Sequence, residues 1–464
     1  MKCSGFTACA VGWWLGLLVG VGVWAAPVPA AVSSNAPAPA TAVASAPVSY
    51  IRDIAPVFRQ RCNGCHRPGK EKGGVDLTSV ALIRKGGKHG PGVVPGDLAA
   101  GTLLGEVRGA DAAMPKEGDP MTATEVALLE RWIREGAVDD TPPLKARVAA
   151  VYAAPPVIPA LAYSPDGQFL AVAGLREVVL LQATNLVRVA RWLGEIGRAE
   201  SLAFSPDGSR LAVAGGNAGV DGQIEVWDVK SGQRLHQWRL AHDTLYGVTW
   251  SPDGERLACG GADRLVRVIR VADGEEELRF NQHSDWVFGA AFLKDGKRLV
   301  SGSRDRSLKL IEVAGGRLLD VVNRDTEPVS VMARHPKEDW VAFGGPEARV
   351  RMYRAEPKPD NHDPGKDPNF IREFEHYDGG ITALAFSADG QRLAIAGLPP
   401  GEVRVHDVGN SRRQATLKGH TGAVFALAFA PDGVRLATAG YEGLVRVWDW
   451  QAGKLILTGR VDAP

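Results

Sequence analysis

The apolar positions follow two different periods along the chain. Between residues 122 and 137, Val126, Leu129 and Ile133 recur at helical spacing, with Leu128 and Trp132 beside them. Thr122-Ala123-Thr124-Glu125 ahead of them is a capping-box pattern, and Gly136 supplies a stop. A second helix is predicted from Ile54 to about Arg61, capped by Asp53, with Pro56 tolerated in its first turn. From about Val148 onward the pattern changes to short apolar runs, such as 426–430 and 435–439, each bounded by a turn. These runs predict strands.

The turns reveal a repeat. Ser164-Pro165-Asp166-Gly167 returns as Ser205-Pro206-Asp207-Gly208 and Ser251-Pro252-Asp253-Gly254. Degraded copies follow at Lys294-Asp295-Gly296, Ser387-Ala388-Asp389-Gly390 and Ala430-Pro431-Asp432-Gly433, and a worn one at His335–Asp339. Pro presets one dihedral of the turn and Gly accepts a positive φ. The spacing is roughly 40–45 residues, and a third strand ends in Trp-Asp at Trp227-Asp228 and Trp448-Asp449. In period and ending the segment from about Val157 to Arg460 resembles the WD-repeat family. The resemblance implies an all-β, seven-bladed propeller over residues 151–464, in which stacked blades bury faces that no single blade can hide. Residues 454–461 are expected to be the last blade's own outer strand, with 145–152 as a candidate closing strand.

WD repeats often brace each blade with a His, Ser/Thr, Asp and Trp hydrogen-bond set. The resemblance maps His420, Thr438, Glu442 and Trp448 onto one such set, and His283, Ser301 and Asp305 onto another in which Ile311 replaces Trp. A third has His242 and Asp263, with Cys259 and Ile269 at the other two positions, and His406 stands at a Trp position. Bracing is therefore the expected role of these histidines, ahead of metal binding.

The N-terminus changes the compartment. Lys2, an apolar stretch from about Ala10 to Trp24, and the small residues that follow have the order of a secretory signal, assigned to residues 1–26. A retained anchor is the alternative, but the apolar run is shorter than the ~20 residues a spanning helix needs. An exported, periplasmic protein with no membrane span after cleavage is expected. Residues 27–49, almost entirely Ala, Pro, Val and Ser, are expected to be a tether, and 139–150 a second linker. A formal net charge of +1 argues against a nucleic-acid partner. Of five cysteines, Cys3 and Cys9 fall in the signal, and Cys259 lies alone in an apolar run, so no disulfide framework is left.

The remaining pair carries the chemistry. Cys62-Asn63-Gly64-Cys65-His66 is the c-type haem attachment pattern. Two thiols add to the porphyrin vinyl groups, and the adjacent His is placed to reach the iron. A zinc site would need more Cys or His nearby, and a redox dithiol should sit in a βαβ unit. Candidates for the sixth ligand are His89, Met114 and Met121. Met114, in a loop before the last helix, is preferred. Met121 abuts the helix cap, and His89 sits in a Gly-rich loop. A His/Met pair raises the reduction potential, and the Pro68 carbonyl is a candidate acceptor for the proximal imidazole N–H.

Residues 50–56, 62–66, 72–77, 90–97, Met114-Pro115 and 131–137 together resemble the cytochrome c modules of planctomycete-type bacteria. The resemblance implies a small all-α cytochrome c domain over residues 50–138. It would hold one covalent haem c through Cys62, Cys65 and His66, with Met114 as distal ligand. Residues 50–92 hold nine Lys and Arg against three Asp and Glu, and residues 93–137 hold four against eight. The attachment side is thus a candidate surface for an acidic redox partner. The expected function is a one-electron carrier whose propeller docks a protein partner. The alternatives are a haem enzyme, or a haem sensor using the propeller as a second-cofactor or ligand platform. No hydrolytic triad or phosphate-cradling loop is legible, which favours a non-catalytic protein.

Overall fold

The computed structural model describes residues 47–67, 70–109, 112–116, 119–141, 156–323, 327–363, 366–399 and 401–461. The expected signal, most of the expected tether, Pro68 and the expected closing strand lie outside the described residues.

Residues 47–141 carry four helices: α1 (Ala55–Arg61), α2 (Val80–Lys85), α3 (Thr102–Val107) and α4 (Ala123–Arg134). Their apolar faces meet in one core built on Ile54, Phe58, Ile83, Leu129, Trp132 and Ile133. The capping box of α4 is formed, with Thr122 Oγ1 accepting from the Glu125 N–H and Glu125 Oε2 accepting from the Thr122 N–H. Gly136, at a φ of +98°, follows the end of α4. The start of α1 differs from expectation. Asp53 does not cap it. A π-helical turn (Tyr50–Ile54) precedes α1, and Ser49 caps that turn by accepting from the Arg52 N–H. Asp53 reaches back to accept from the Ser49 N–H at 2.9 Å, so its carboxylate is spent one turn earlier than the apolar pattern suggests. Helices are not the whole content, because His66–Arg67 and Lys70–Glu71 form a two-residue antiparallel ladder. Val48, placed in the tether by composition, is buried in this core and donates its N–H to Glu135.

Beyond residue 156 the described residues form seven four-stranded antiparallel sheets, at 161–193, 198–241, 245–280, 287–321, 331–373, 381–417 and 424–460. Each is a simple meander, and the first strands of successive sheets pack against one another in a closed ring. This is a seven-bladed propeller. The second strand of each blade, such as Arg392–Gly397, is buried along almost its whole length, because neighbouring blades cover both its faces.

The Ser-Pro-Asp-Gly turns have one construction. Ser164 Oγ accepts from the Phe169 N–H and donates to Asp166, while Gly167 takes a φ of +72°. Ser205, Ser251 and Ser387 repeat it. In the worn copy the imidazole of His335 does the same job. Its Nδ1 accepts from the N–H groups of Lys337 and Glu338, and its Nε2 donates to the Gly390 carbonyl of the next blade.

Ring closure uses no exchanged strand among the described residues, and Lys454–Arg460 is indeed the last blade's own outer strand. Arginines opening second strands reach into the next blade: Arg210 to the Gly254 carbonyl and Arg256 to the Gly296 carbonyl. Arg435 of the last blade makes the same reach to the Ala183 carbonyl of the first. The Ile158 N–H donates to Gly440, and Ile158, Leu161 and Leu170 share one apolar cluster with Ala437 and Val445. The closing seam is thus one more blade-to-blade contact.

Candidate functional site

Helix α1 delivers the cysteine pair. It ends at Arg61, and Cys62, its C-cap, donates its N–H to the Phe58 carbonyl. The chain then turns tightly, with the N–H groups of Cys65 and His66 both pointing to the Cys62 carbonyl, at 3.0 and 3.1 Å. The loop after α3 is held by the Met114 N–H donating to the Glu106 carbonyl at 2.8 Å.

These two segments face one cavity of about 600 Å³. Cys62, Cys65, His66 and Met114 all line it, on a wall that includes Val75, Leu77, Leu103 and Val107. His89 also reaches the wall, from its exposed loop. Met121 does not; it is buried in the helical core beside the α4 cap. The four expected positions are therefore brought together, and of the three sixth-ligand candidates two remain at the cavity. Sequence reasoning missed α2, which lies outside the cavity lining, and α3, which supplies Thr102, Leu103, Glu106 and Val107 to the wall. Ser79, capping α2 through the Leu82 N–H, is a legible signal. The six-residue α3 has Gly101 at its cap and no side-chain bond there.

The polar atoms at this site are unusual. His66 Nδ1 and Asn63 Oδ1 are buried without a hydrogen-bond partner among the described residues. Both cysteines are free thiols. Burial, with a smaller push from Glu125, raises the Cys62 thiol to about 11. That is the reverse of the lowered pKa that activates a redox dithiol. Among the described residues no three His, Cys, Asp or Glu side chains are gathered into a group able to hold an ion.

The propeller histidines divide. In the last blade Arg446 donates to His420 Nδ1, so Nε2 is the protonated nitrogen and donates to Thr438 Oγ1 at 2.7 Å. Trp448 Nε1 donates to the same hydroxyl at 2.9 Å. Glu442, standing where Asp is usual, accepts from the Thr421 N–H and pairs with Arg446. His283 bridges Ser301 (2.7 Å) and Asp305 (2.8 Å). That order matches a hydrolytic triad, but Ser301 is fully buried and no substrate reaches it. The third set does not form as expected. Asp263 is taken by Arg267, at 2.5 and 3.1 Å, and Cys259 is fully buried, its thiol pushed up to about 12. His406 donates from Nδ1 to the Ser411 carbonyl at 3.1 Å, and its Nε2 has no partner among the described residues.

Known families match these two regions separately. The model of the WD domain, G-beta repeat, matches residues 232–270, 274–312, 368–407 and 411–449. The chain carries WD40 repeats. The model of the anaphase-promoting complex subunit 4 WD40 domain matches residues 161–250, and the planctomycete cytochrome C model matches residues 62–118, the segment that lines most of the cavity. Curated relatives share short stretches. A mouse (Mus musculus) subunit of chromatin assembly factor 1 is 33% identical over 55 residues, 12% of this chain and 10% of that one. Human (Homo sapiens) coronin-7 is 32% identical over 63 residues, 14% of this chain and 7% of its own. The chain thus matches a tenth or less of the length of these relatives, and the matches speak for the repeat alone.

Among the described residues no helix is long and apolar enough to cross a membrane.

Proposed function

We propose that the chain is an exported c-type cytochrome that carries one haem and moves single electrons, with the propeller as its docking platform for a protein partner. The observation that carries this reading is the single cavity gathering Cys62, Cys65, His66 and Met114 against an apolar wall.

The donor set fits the group. Cys62 and Cys65 offer free thiols for two thioether bonds, and their separation by two residues matches the attachment pattern. His66 offers an imidazole whose buried Nδ1 calls for an acceptor, so that its other nitrogen is left for a metal. Met114 offers a thioether from the segment after α3, on the same cavity. A haem held there supplies a one-electron iron couple whose potential a His/Met pair raises. The chain's own residues do the rest. Val75, Leu77, Leu103 and Val107 keep water from the site, and the bond from Met114 N–H to Glu106 fixes the distal loop. His89 lines the same cavity and is the second reading for the distal ligand.

Docking is supported by the apolar and aromatic side chains exposed on one rim of the propeller. One rim holds the hydrogen-bonded Ser-Pro-Asp-Gly turns. The other, formed by the turns between second and third strands and the entries to first strands, exposes Tyr441 (66%), Leu175 (50%), Leu398 (44%) and Trp286 (37%). Export rests on the N-terminal signal pattern and is tested by locating the mature protein.

The direct test is a haem stain of the full-length protein after denaturing electrophoresis. Covalent attachment leaves the pigment on the chain; pigment that is absent or runs free contradicts the reading. Carbon monoxide bound by the reduced protein at neutral pH favours the sensor alternative, because it requires a weak or missing sixth ligand.

A further inference from the structure

The first strands of all seven blades line one axial channel of about 690 Å³. Leu202, Val248 and Met332 give it an apolar wall. Nearer the entries of the strands, the rings of Tyr246 and Phe288 meet with centroids 5.0 Å apart. The charged side chains among the lining residues are Arg198, Glu200 and Arg334. Arg198 and Glu200 neutralise each other, Nε to Oε1 at 3.1 Å. Arg334 has no such partner. Its side chain is half-buried, and its Nη1 is buried without a hydrogen-bond partner among the described residues. The carboxylate whose charge reaches it, Asp339, is already paired with Arg298 at 3.1 Å. Burial therefore works against a charge that nothing in the channel offsets.

Arg334 also breaks a register. It is the last residue of its blade's first strand and stands opposite Val341. The matching residues of the other blades are Tyr163, Phe204, Trp250, Phe292, Phe386 and Phe429, each opposite a Leu. Six blades thus fill this position with an aromatic ring, and the fifth fills it with a guanidinium that has no counter-ion. The propeller does not need a cation here, since an aromatic side chain serves six times over. A buried donor left unmade costs stability, and the same donor is a strong, directional anchor once a carboxylate meets it. The volume of the channel falls within the roughly 300–1,000 Å³ of ordinary small-molecule sites, which pair an apolar wall with a few polar groups.

We propose that the axial channel binds a small aromatic carboxylate, with its carboxylate on Arg334 and its ring against the apolar wall that ends at Tyr246 and Phe288. The channel shares no lining residue with the cavity of Cys62 and His66, so this site stands apart from the haem reading. The ligand is unidentified, so the probes are benzoate, 2-naphthoate and indole-3-acetate. 2-Naphthylmethanol supplies the same ring without the charge.

Each probe is titrated calorimetrically into the full-length protein, for wild type, Arg334→Phe, Arg334→Gln and Phe288→Leu. Wild type is expected to bind at least one of the carboxylates, and to bind it more tightly than the neutral alcohol. Either change at Arg334 should weaken that carboxylate by about tenfold or more and leave the alcohol as it was. Phe288→Leu should weaken both. Arg334→Phe copies the residue type that six blades carry, so it is expected to fold and to unfold at a higher denaturant concentration than wild type. Lost binding together with raised stability is a result that a merely structural arginine does not give. The proposal is overturned if none of the carboxylates binds wild type at up to about 10 mM, or if Arg334→Phe and Arg334→Gln bind as tightly as wild type. It is also overturned if both variants unfold at a lower denaturant concentration than wild type, because Arg334 is then a brace.

Discussion

The helical region and the propeller treat buried histidine in opposite ways. In the propeller, His283, His335 and His420 have both ring nitrogens engaged, by Ser301 and Asp305, by three backbone groups, and by Thr438 and Arg446. In the helical region, His66 keeps a buried Nδ1 without a partner among the described residues, beside two free thiols and an apolar cavity. A buried polar atom left unpaired costs about 1–3 kcal/mol, so a fold does not keep one without compensation. The propeller spends its polar groups on holding blades together. On the proposed cytochrome reading, the helical region instead keeps its two thiols and the other nitrogen of His66 for a bound haem. His406, with an unpaired Nε2, is the propeller's exception, and it stands where two other blades carry Trp.

The sharpest way to break this comparison is to remove the reserved groups. Cys62→Ala/Cys65→Ala is expected to abolish covalent pigment entirely while leaving the propeller folded, read by haem staining and circular dichroism. Unfolding of the propeller in that variant would show the pair to be structural.

Next in size is the buried ion pair of the third blade. Arg267 is fully buried and depends on Asp263. Asp263→Ala leaves a buried guanidinium with only the edge of Glu276 for charge, and is expected to cost about 3–5 kcal/mol in denaturant unfolding. A loss below about 1 kcal/mol would mean that the pair is not a brace.

Acid probes the last blade. Burial first, and Arg446 second, lower the His420 imidazole from 6.5 to about 4. Between those pH values the unfolded chain takes up a proton that the folded blade refuses. Stability is therefore complete above pH 6.5 and falls as pH drops toward 4. At about 1.4 kcal/mol per unit the loss is on the order of 2–3 kcal/mol, and His420→Gln should flatten that part of the profile. An unchanged slope would show that His420 does not set it. Thr438→Ala, which strands His420 Nε2 and Trp448 Nε1 together, is expected to cost about 1–3 kcal/mol.

Much of the fold was legible because its signals are local. The Pro-Asp-Gly turns carry their own dihedral logic, and the Thr122/Glu125 box lies within one helical turn. The Cys62–His66 spacing is likewise contained in five residues. What stayed hidden depends on contacts between distant residues. Asp53 has the chemistry of a cap, but Ser49 is in range first. Asp263 has the place of a histidine partner, but Arg267, four residues on, competes for it and wins. His335 replaces a turn serine, which no turn-residue preference suggests. The seam closed by Arg435 and Ala183 spans nearly the whole propeller, so no local pattern announces it. At the site, the sequence named the four residues that converge. It had no means of showing that His89 and Lys72 share the same opening, since that follows from how closely the backbone at Gly87 approaches Gly73.

If the cavity holds an iron site with His66 on one side and Met114 on the other, its potential must depend on Met114. A redox titration followed by reduced-minus-oxidised spectra, on wild type and on Met114→Ala, reads this out. Wild type is expected to give a low-spin spectrum and a single one-electron wave, and the variant a lower midpoint potential and an altered spectrum. An identical spectrum and potential in both proteins would contradict the assignment of Met114, and the absence of any wave would contradict the cytochrome reading as a whole.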